Sequence, residues 1–405
     1  MRNYIKGCFF VFLIATACLP ASAGTLPYFP GAEEPQVPAV PAPEVPSDTA
    51  VSSFTPVEIP DFAFSGQADI EAMLETAVRA STSTIEAAVY GFTLPRVAQA
   101  LADARARGVA VRVLVNESHV FTPRRSEELQ LLIDNGVELR TLRGLGRNGI
   151  MHNKVGIFDG KLVKAGSFNW AVTANLANSE NAVFSREPAL VAGYRRYFDW
   201  MWRLSRPLAA GPGEPAGSYG QPPEDPARSI MFNGMLLPSY SFSPGGQTEL
   251  NIINAVNFAR EKADIAVFSF YSMDIARAVA AAAKRGVKVR VLVDRVQASQ
   301  SEVGKYFIDN GVPFRWSQGF AGRGVMHNKY AVLDGRLLMT GSFNWSVNAQ
   351  ENNFENMFYT ASPAYAAAFS AQFERLFAAG ETPTAEDLEK AAALYRAAGP
   401  LPDPY

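Results

Sequence analysis

The stretch I-M-H-N-K-V-G-I-F-D-G-K-L-V-K-A-G-S-F-N-W, from Ile150 to Trp170, returns as V-M-H-N-K-Y-A-V-L-D-G-R-L-L-M-T-G-S-F-N-W, from Val325 to Trp345. The intervals from His to Lys, Asp, Gly-Ser and Asn are identical in the two copies. The chain holds three histidines, and His152 and His327 both occupy this one position. The flanks repeat as well. Phe64-Ser65 matches Phe242-Ser243, Ala88 to Phe92 matches Ala266 to Phe270, and Arg107 to Val115 matches Arg285 to Val293, all at an offset of 178. Asp134 to Val137 matches Asp309 to Val312 at an offset of 175, which the histidines and the pair Pro188/Pro363 keep. Matched periodicity of this kind marks a duplicated structural unit.

Each copy alternates helical and strand patterns. Ile70 to Arg79 places Ile70, Met73, Leu74 and Ala77 on one helical face. Ile85 to Phe92 reads as a strand, Pro95 to Arg107 as a helix stopped by Gly108, and Val109 to Val115 as a β-branched strand. Glu127 to Asn135 reads as a helix and Val137 to Leu142 as a strand. Lys154 to Phe158 and Leu162 to Ala165 read as two strands joined by the Asp159-Gly160 turn. Pro188 opens a further helix, where its missing N–H costs nothing. Alternation of this kind predicts an α/β fold: two tandem repeats, each a mixed sheet flanked by helices, packed as a pseudo-two-fold bilobal unit.

The remaining segments set the boundaries. Arg2 and Lys6 precede an apolar run from Cys8 to Cys18, and Ala21-Ser22-Ala23 offers a small-residue cleavage site. Residues 1–23 are therefore expected to be an export signal, placing the mature protein in the periplasm or outside the cell. A lipoprotein reading would use Cys18, but Ala15-Thr16-Ala17 fits it poorly. Both cysteines lie in this segment, so the mature chain is expected to lack disulfides and cysteine metal sites. Pro-rich residues 24–60 read as an unstructured spacer and 207–228 as a linker between repeats spanning 61–206 and 229–380. Residues 381–405 read as a last helix and tail with no counterpart in the first repeat. The formal charge of −2 does not mark a strongly basic nucleic-acid binder.

The repeated motif points to phosphate chemistry. One copy offers an imidazole, an ammonium and, from Asn169 or Asn344, an amide. His and Lys two apart on a strand would share a face. Two copies facing each other supply two lysines, Lys154 and Lys329, to balance a phosphodiester and stabilise added charge in a transition state. Two histidines near the reference pKa of about 6.5 would divide nucleophilic and acid roles. Glu180 lies 28 residues after His152, and Glu355 lies 28 after His327; each is followed by Asn. A carboxylate bonded to the far imidazole nitrogen would fix its tautomer and raise its basicity.

The full pattern, H-x-K-x4-D-x6-G-S-x-N, resembles the duplicated signature of the phospholipase D superfamily, and the likeness runs from about Phe62 to Ala379. The flanking residues look most like the branch that holds small secreted bacterial endonucleases and mitochondrial cardiolipin hydrolases, which are dimers of one-motif chains. The resemblance implies a fused dimer: a monomer with an internal pseudo-dimer, no obligate protein partner, no cofactor and no metal. It further implies a phosphohistidine intermediate on His152, with His327 as general acid and Lys154, Lys329, Asn169 and Asn344 binding phosphate oxygens. Ser167 and Ser342 would support the site by hydrogen bonding. Asp159 and Asp334 belong to the signature but read as structural, because their turn favours Asp-Gly on local grounds.

Other residues take plainer readings. His119 lies near Arg124 and Arg125 without a histidine counterpart, and is expected at the surface. Trp170 and Trp345 are expected to pack where the lobes meet. Arg140, Arg143 and Arg147, with Arg315 and Arg323, would rim a cleft or decorate solvated loops. The expected activity is hydrolysis of a phosphodiester, leaning to phospholipid with transient contact at a membrane surface. Cleavage of nucleic acid is the alternative, and non-catalytic binding of either is a third.

Overall fold

The computed structural model describes residues 54–322 and 324–398. The expected export signal, residues 24–53 of the expected spacer, Arg323 and 399–405 lie outside the described residues, and residues 54–60 carry no regular element. Everything described from Thr55 onward belongs to one unit.

Two sheets of the same order make up that unit. The first runs Phe62–Phe64, Asn181–Ser185, Leu162–Gly166, Lys154–Phe158, Thr84–Val89, Ala110–Asn116, Glu138–Leu142, ending on the short edge pair Arg206–Pro207. The second runs Tyr240–Ser243, Glu355–Thr360, Leu337–Gly341, Lys329–Leu333, Lys262–Val267, Lys288–Asp294, Phe314–Ser317. Within each, the strands joined by crossover helices pair in parallel, and the hairpin strands that follow pair antiparallel. The connection lengths dictate this, since a parallel crossover needs a helix whereas a few residues close a hairpin, here the three between Phe158 and Leu162 and between Leu333 and Leu337. Asp159-Gly160 and Asp334-Gly335 make those hairpin turns with φ between 52° and 62°, the left-handed backbone that Asp and Gly tolerate.

The helices form where the patterns place them. Ile70–Ala80 starts at Asp69, whose carboxylate accepts from the Ala72 amide, and buries Ile70, Met73, Leu74 and Ala77. Pro95–Ala106 begins on its proline and stops before Gly108, at φ 90°. Its counterpart, Met273–Lys284, stops before Gly286, at φ 94°. The strand expected to reach Phe92 breaks at Val89, and Phe92–Thr93 pairs instead with Trp170–Ala171. The linker is laid along the first half: the Gly213 amide donates to Glu117 at 2.7 Å and the Tyr219 hydroxyl to the Arg143 carbonyl at 3.0 Å. A hairpin of Ile230–Phe232 and Met235–Leu237 precedes the second sheet. The last helix, Ala385–Ala398, buries Leu388 against the second half.

Three cores result. One lies in each half, between its sheet and its crossover helices. The third joins the halves and is rich in aromatic side chains from both, including Phe64, Tyr197, Phe242, Phe354 and Phe369. Tyr197 stacks on Phe242 at 3.8 Å between ring centroids, and Phe64 meets Phe369 edge-on at 4.9 Å. Trp170 and Trp345 do not lie there, against expectation. Each is buried in its own half's separate core, against Phe92 and Phe270 respectively. The residue after each motif asparagine turns under its own sheet, away from the partner half.

Candidate active site

The two motifs meet where the halves join. His152 is not on the strand with Lys154, as the spacing suggested. It precedes that strand, in an extended segment bridged to Phe354 of the other half. The His152 amide donates to the Phe354 carbonyl at 3.0 Å and the Phe354 amide to the Ile150 carbonyl at 2.9 Å. The second motif repeats this through Ser179: His327 donates to Ser179 and Ser179 to Val325, each at 3.0 Å. Asn116 and Asp294, at the ends of equivalent strands, accept from the amides of Met151 and Met326 at 2.9 and 3.0 Å.

These bridges exchange partners between the repeats. His152 Nδ1 lies 2.8 Å from Glu355 Oε1, and His327 Nδ1 lies 2.9 Å from Glu180 Oε2. Each glutamate therefore serves the histidine of the other half. The next residues pair in the same sense, Asn356 donating to Asn153 and Asn181 to Asn328, both at 2.9 Å. The geometry leaves no alternative. In its own sheet Glu180 leads a strand two places from the strand that His152 precedes, about 10 Å at ordinary strand spacing. The Ser342 hydroxyl donates to Glu355 at 2.6 Å and the Asn353 amide to its other oxygen at 3.1 Å. Ser167 and Asn178 hold Glu180 in the same way.

Lys154 and Lys329 are fully buried. Each donates back to the carbonyl of its own histidine, at 2.6 and 2.8 Å, and lies against an aromatic face, Tyr90 or Phe268. Among the described residues, neither polar atom of the buried Asn169 amide has a hydrogen-bond partner, nor does Asn344 Oδ1. Buried amides are rarely left so. Asp159 and Asp334 are elsewhere. The Asp159 carboxylate gathers the amides of Thr82, Ser83 and Thr84 at 2.8 to 3.2 Å, and Asp334 gathers those of Arg260, Glu261 and Lys262 at 2.7 to 3.1 Å. They pin a loop to the hairpin turn.

Burial governs the electrostatics, and the imidazoles do not sit near the ordinary histidine value. Desolvation pushes His152 down to about 4, although Glu355 opposes it. His327 is pushed well below its ordinary value by the same cause, with Lys329 and Lys154 adding to it. Burial also lowers Lys329 and raises Glu180 to about 8. Desolvation is the first cause in each case, since burial disfavours the charged form of an ionisable group. The His327–Glu180 pair thus keeps one proton at neutral pH, and that proton belongs to the pair.

Other expectations need correction. His119 is not a surface residue. It is partly buried, edge-on to Tyr90 at 4.5 Å, and Tyr90 is edge-on to His152 at 5.1 Å. Arg140 covers Trp202, and Arg315 covers Phe377, so neither rims the site. Arg143 and Arg147 do line a cavity of about 290 Å³ with Asn116, Ser118 and Ile150, two residues from His152. The cross-bridging asparagines went unassigned in the sequence, although His-Asn and Glu-Asn recur at one spacing in both copies. Among the described residues no cluster of three or more His, Cys, Asp or Glu is placed to hold a metal ion.

Comparison with known proteins fits this arrangement. The family described as "Cardiolipin synthase, PLD-like domain" matches residues 74–202 and 252–377, more than half of the chain. Human mitochondrial cardiolipin hydrolase is 36% identical over 137 residues, covering 33% of this chain and 53% of that protein. A phospholipase D of Rickettsia bellii is 34% identical over 118 residues, covering 29% and 55%. The chain spans about half the length of the curated relatives it matches. The phosphatidylserine synthase of Haemophilus influenzae Rd KW20 shares the fold, with a TM-score of 0.62 at 12% identity, over 82% of this chain and 92% of that one. With both motifs, both sheets and the exchanged dyads in place, the chain belongs to the phospholipase D-like family.

Proposed function

We propose that the protein is a phosphodiesterase that hydrolyses phospholipids, releasing phosphatidic acid, through a phosphohistidine on His152. The observation that carries this is the pair of His–Glu dyads exchanged across the join, with a buried lysine and an asparagine from each half beside them. Glu355 holds His152 Nδ1, so Nε2 is the attacking atom, and burial keeps it neutral and nucleophilic. Attack forms the N–P bond as the P–O bond to the headgroup alcohol breaks. The leaving oxygen takes its proton from His327 Nε2, while the proton held with Glu180 passes to Nδ1. Water then attacks phosphorus, His327 takes its proton, and His152 is released. Lys154, Lys329, Asn169 and Asn344 hold the non-bridging oxygens, offsetting the charge that burial leaves unbalanced. The extra proton on the His327 side supports giving it the acid role.

The phospholipid leaning rests on the names of the curated relatives. Nucleic acid keeps the support of Arg143 and Arg147 beside the motif, while Arg140 and Arg315 are engaged in packing. The test uses the chain from Gly24 in EDTA, on phosphatidyl lipids in mixed micelles and on single- and double-stranded nucleic acid, with His152→Asn as control. Phosphatidic acid released only by the unsubstituted chain supports the proposal. Cleavage of nucleic acid alone moves the protein to nuclease function, and no turnover on either substrate refutes both.

A further inference from the structure

Lys164 is a fully buried lysine that the mechanism above does not use. It lies on the strand Leu162–Gly166, and its ammonium donates to two backbone carbonyls, that of Lys154 at 3.0 Å and that of Phe168 at 2.7 Å. Neither acceptor is incidental. Lys154 is the phosphate-binding lysine of the first motif, and Phe168 immediately precedes Asn169. The hairpin ladder between the two strands runs from Phe158–Leu162 only to Gly156–Lys164, short of both residues. Beyond that point, the Lys164 side chain bridges the H-x-K strand and the G-S-x-N turn. In the second half the ladder extends one pair further, to Tyr330–Thr340. There the residue at this position is Met339, fully buried in that half's core. The same fold is thus completed without an ammonium, whose burial is costly.

We infer that Lys164 is a positioning residue: it holds Lys154 and Asn169 at a fixed separation, so that phosphate oxygens meet a rigid ammonium–amide pair in the first half. The two halves of the site are then inequivalent, the second relying on its ladder alone. This rests on the phosphodiesterase reading. The variant to make is Lys164→Met, which copies the second half. Its thermal midpoint is expected to hold, because Met fills this position in the second half and removes an amine whose charged form burial disfavours, offsetting the two carbonyl bonds it loses. Its kcat/KM on bis(p-nitrophenyl) phosphate is expected to fall about 10- to 100-fold, the usual cost of a small misplacement of binding groups. Affinity for inorganic phosphate, measured by calorimetry, is expected to fall about 10-fold, and that arm needs no turnover. Unchanged activity and phosphate affinity in the folded variant overturn the inference, as does a loss of activity that merely follows a loss of stability or folding. If the unsubstituted chain turns nothing over, the functional reading fails, and the phosphate arm still decides the role of Lys164.

Discussion

Replacing Glu355 by Gln tests the exchanged dyad most directly. On the proposed mechanism the His152 ring becomes cationic as it bonds to phosphorus, with Glu355 Oε1 2.8 Å from Nδ1. Two unit charges about 4 Å apart interact by about 4 kcal/mol at an effective dielectric of 20. Each 1.4 kcal/mol is about tenfold in rate, so Glu355→Gln should lower kcat about 10³-fold while KM changes little. Ground-state protonation cannot account for the loss. Burial depresses the His152 pKa to about 4 even with Glu355 raising it, so removing Glu355 leaves the nucleophile neutral. Glu180→Gln should behave differently, because Glu180 serves the acid. The assay is single-turnover release from a phosphodiester with a p-nitrophenolate leaving group and from one with an alkoxide. Glu355→Gln should slow both equally, whereas Glu180→Gln should spare the good leaving group. The reverse pattern would show that the roles of the histidines are interchanged; a loss below about threefold from Glu355→Gln would refute the electrostatic argument.

Further outcomes follow from the same geometry. The kcat/KM profile should rise with pH through about 4, as His152 becomes neutral, and fall through about 8, as the His327–Glu180 pair loses its proton; Glu180→Gln should remove the alkaline limb, and a single limb near 6.5 would contradict the assignment. Asn169→Ala removes a buried amide without a partner among the described residues, so the thermal midpoint should hold or rise while kcat falls about 100-fold, as calorimetry and steady-state rates would show. Asp159→Asn should cost about 2 kcal/mol of stability in denaturant titration with kcat little changed. The Asp159 carboxyl is held below its ordinary 3.8 by amides from Thr82, Thr84 and Ser83, despite partial burial. Its contribution is therefore complete above pH 3.8 and should fade as pH falls below it; a stability difference between the two proteins that persists unchanged into acid would contradict this.

The helices and strands were largely legible because their causes are local. Asp159-Gly160 turns a hairpin wherever it occurs between β-branched runs, and Pro95 and Gly108 delimit a helix without help from the rest of the chain. The position of His119 is not legible locally, because it depends on Tyr90, which follows the strand Thr84–Val89, far away in sequence. The tryptophans were misread because a strand's two faces look alike in sequence when both are buried. Lys164 gave no signal beyond facing Met339 in the aligned copy.

The sequence alone determined that the protein is a duplicated α/β chain with a His, a Lys and an Asn at one spacing in each copy, since spacing and repetition are properties of the chain itself. Only the tertiary structure decided which glutamate meets which histidine. Two strand spacings separate each glutamate from the histidine of its own repeat, and the meeting of the two sheets brings the other repeat's within 2.9 Å. It also decided the charge state of the site, because burial pushes His152 to about 4 and Glu180 to about 8, and burial exists only once both halves have closed over the motifs.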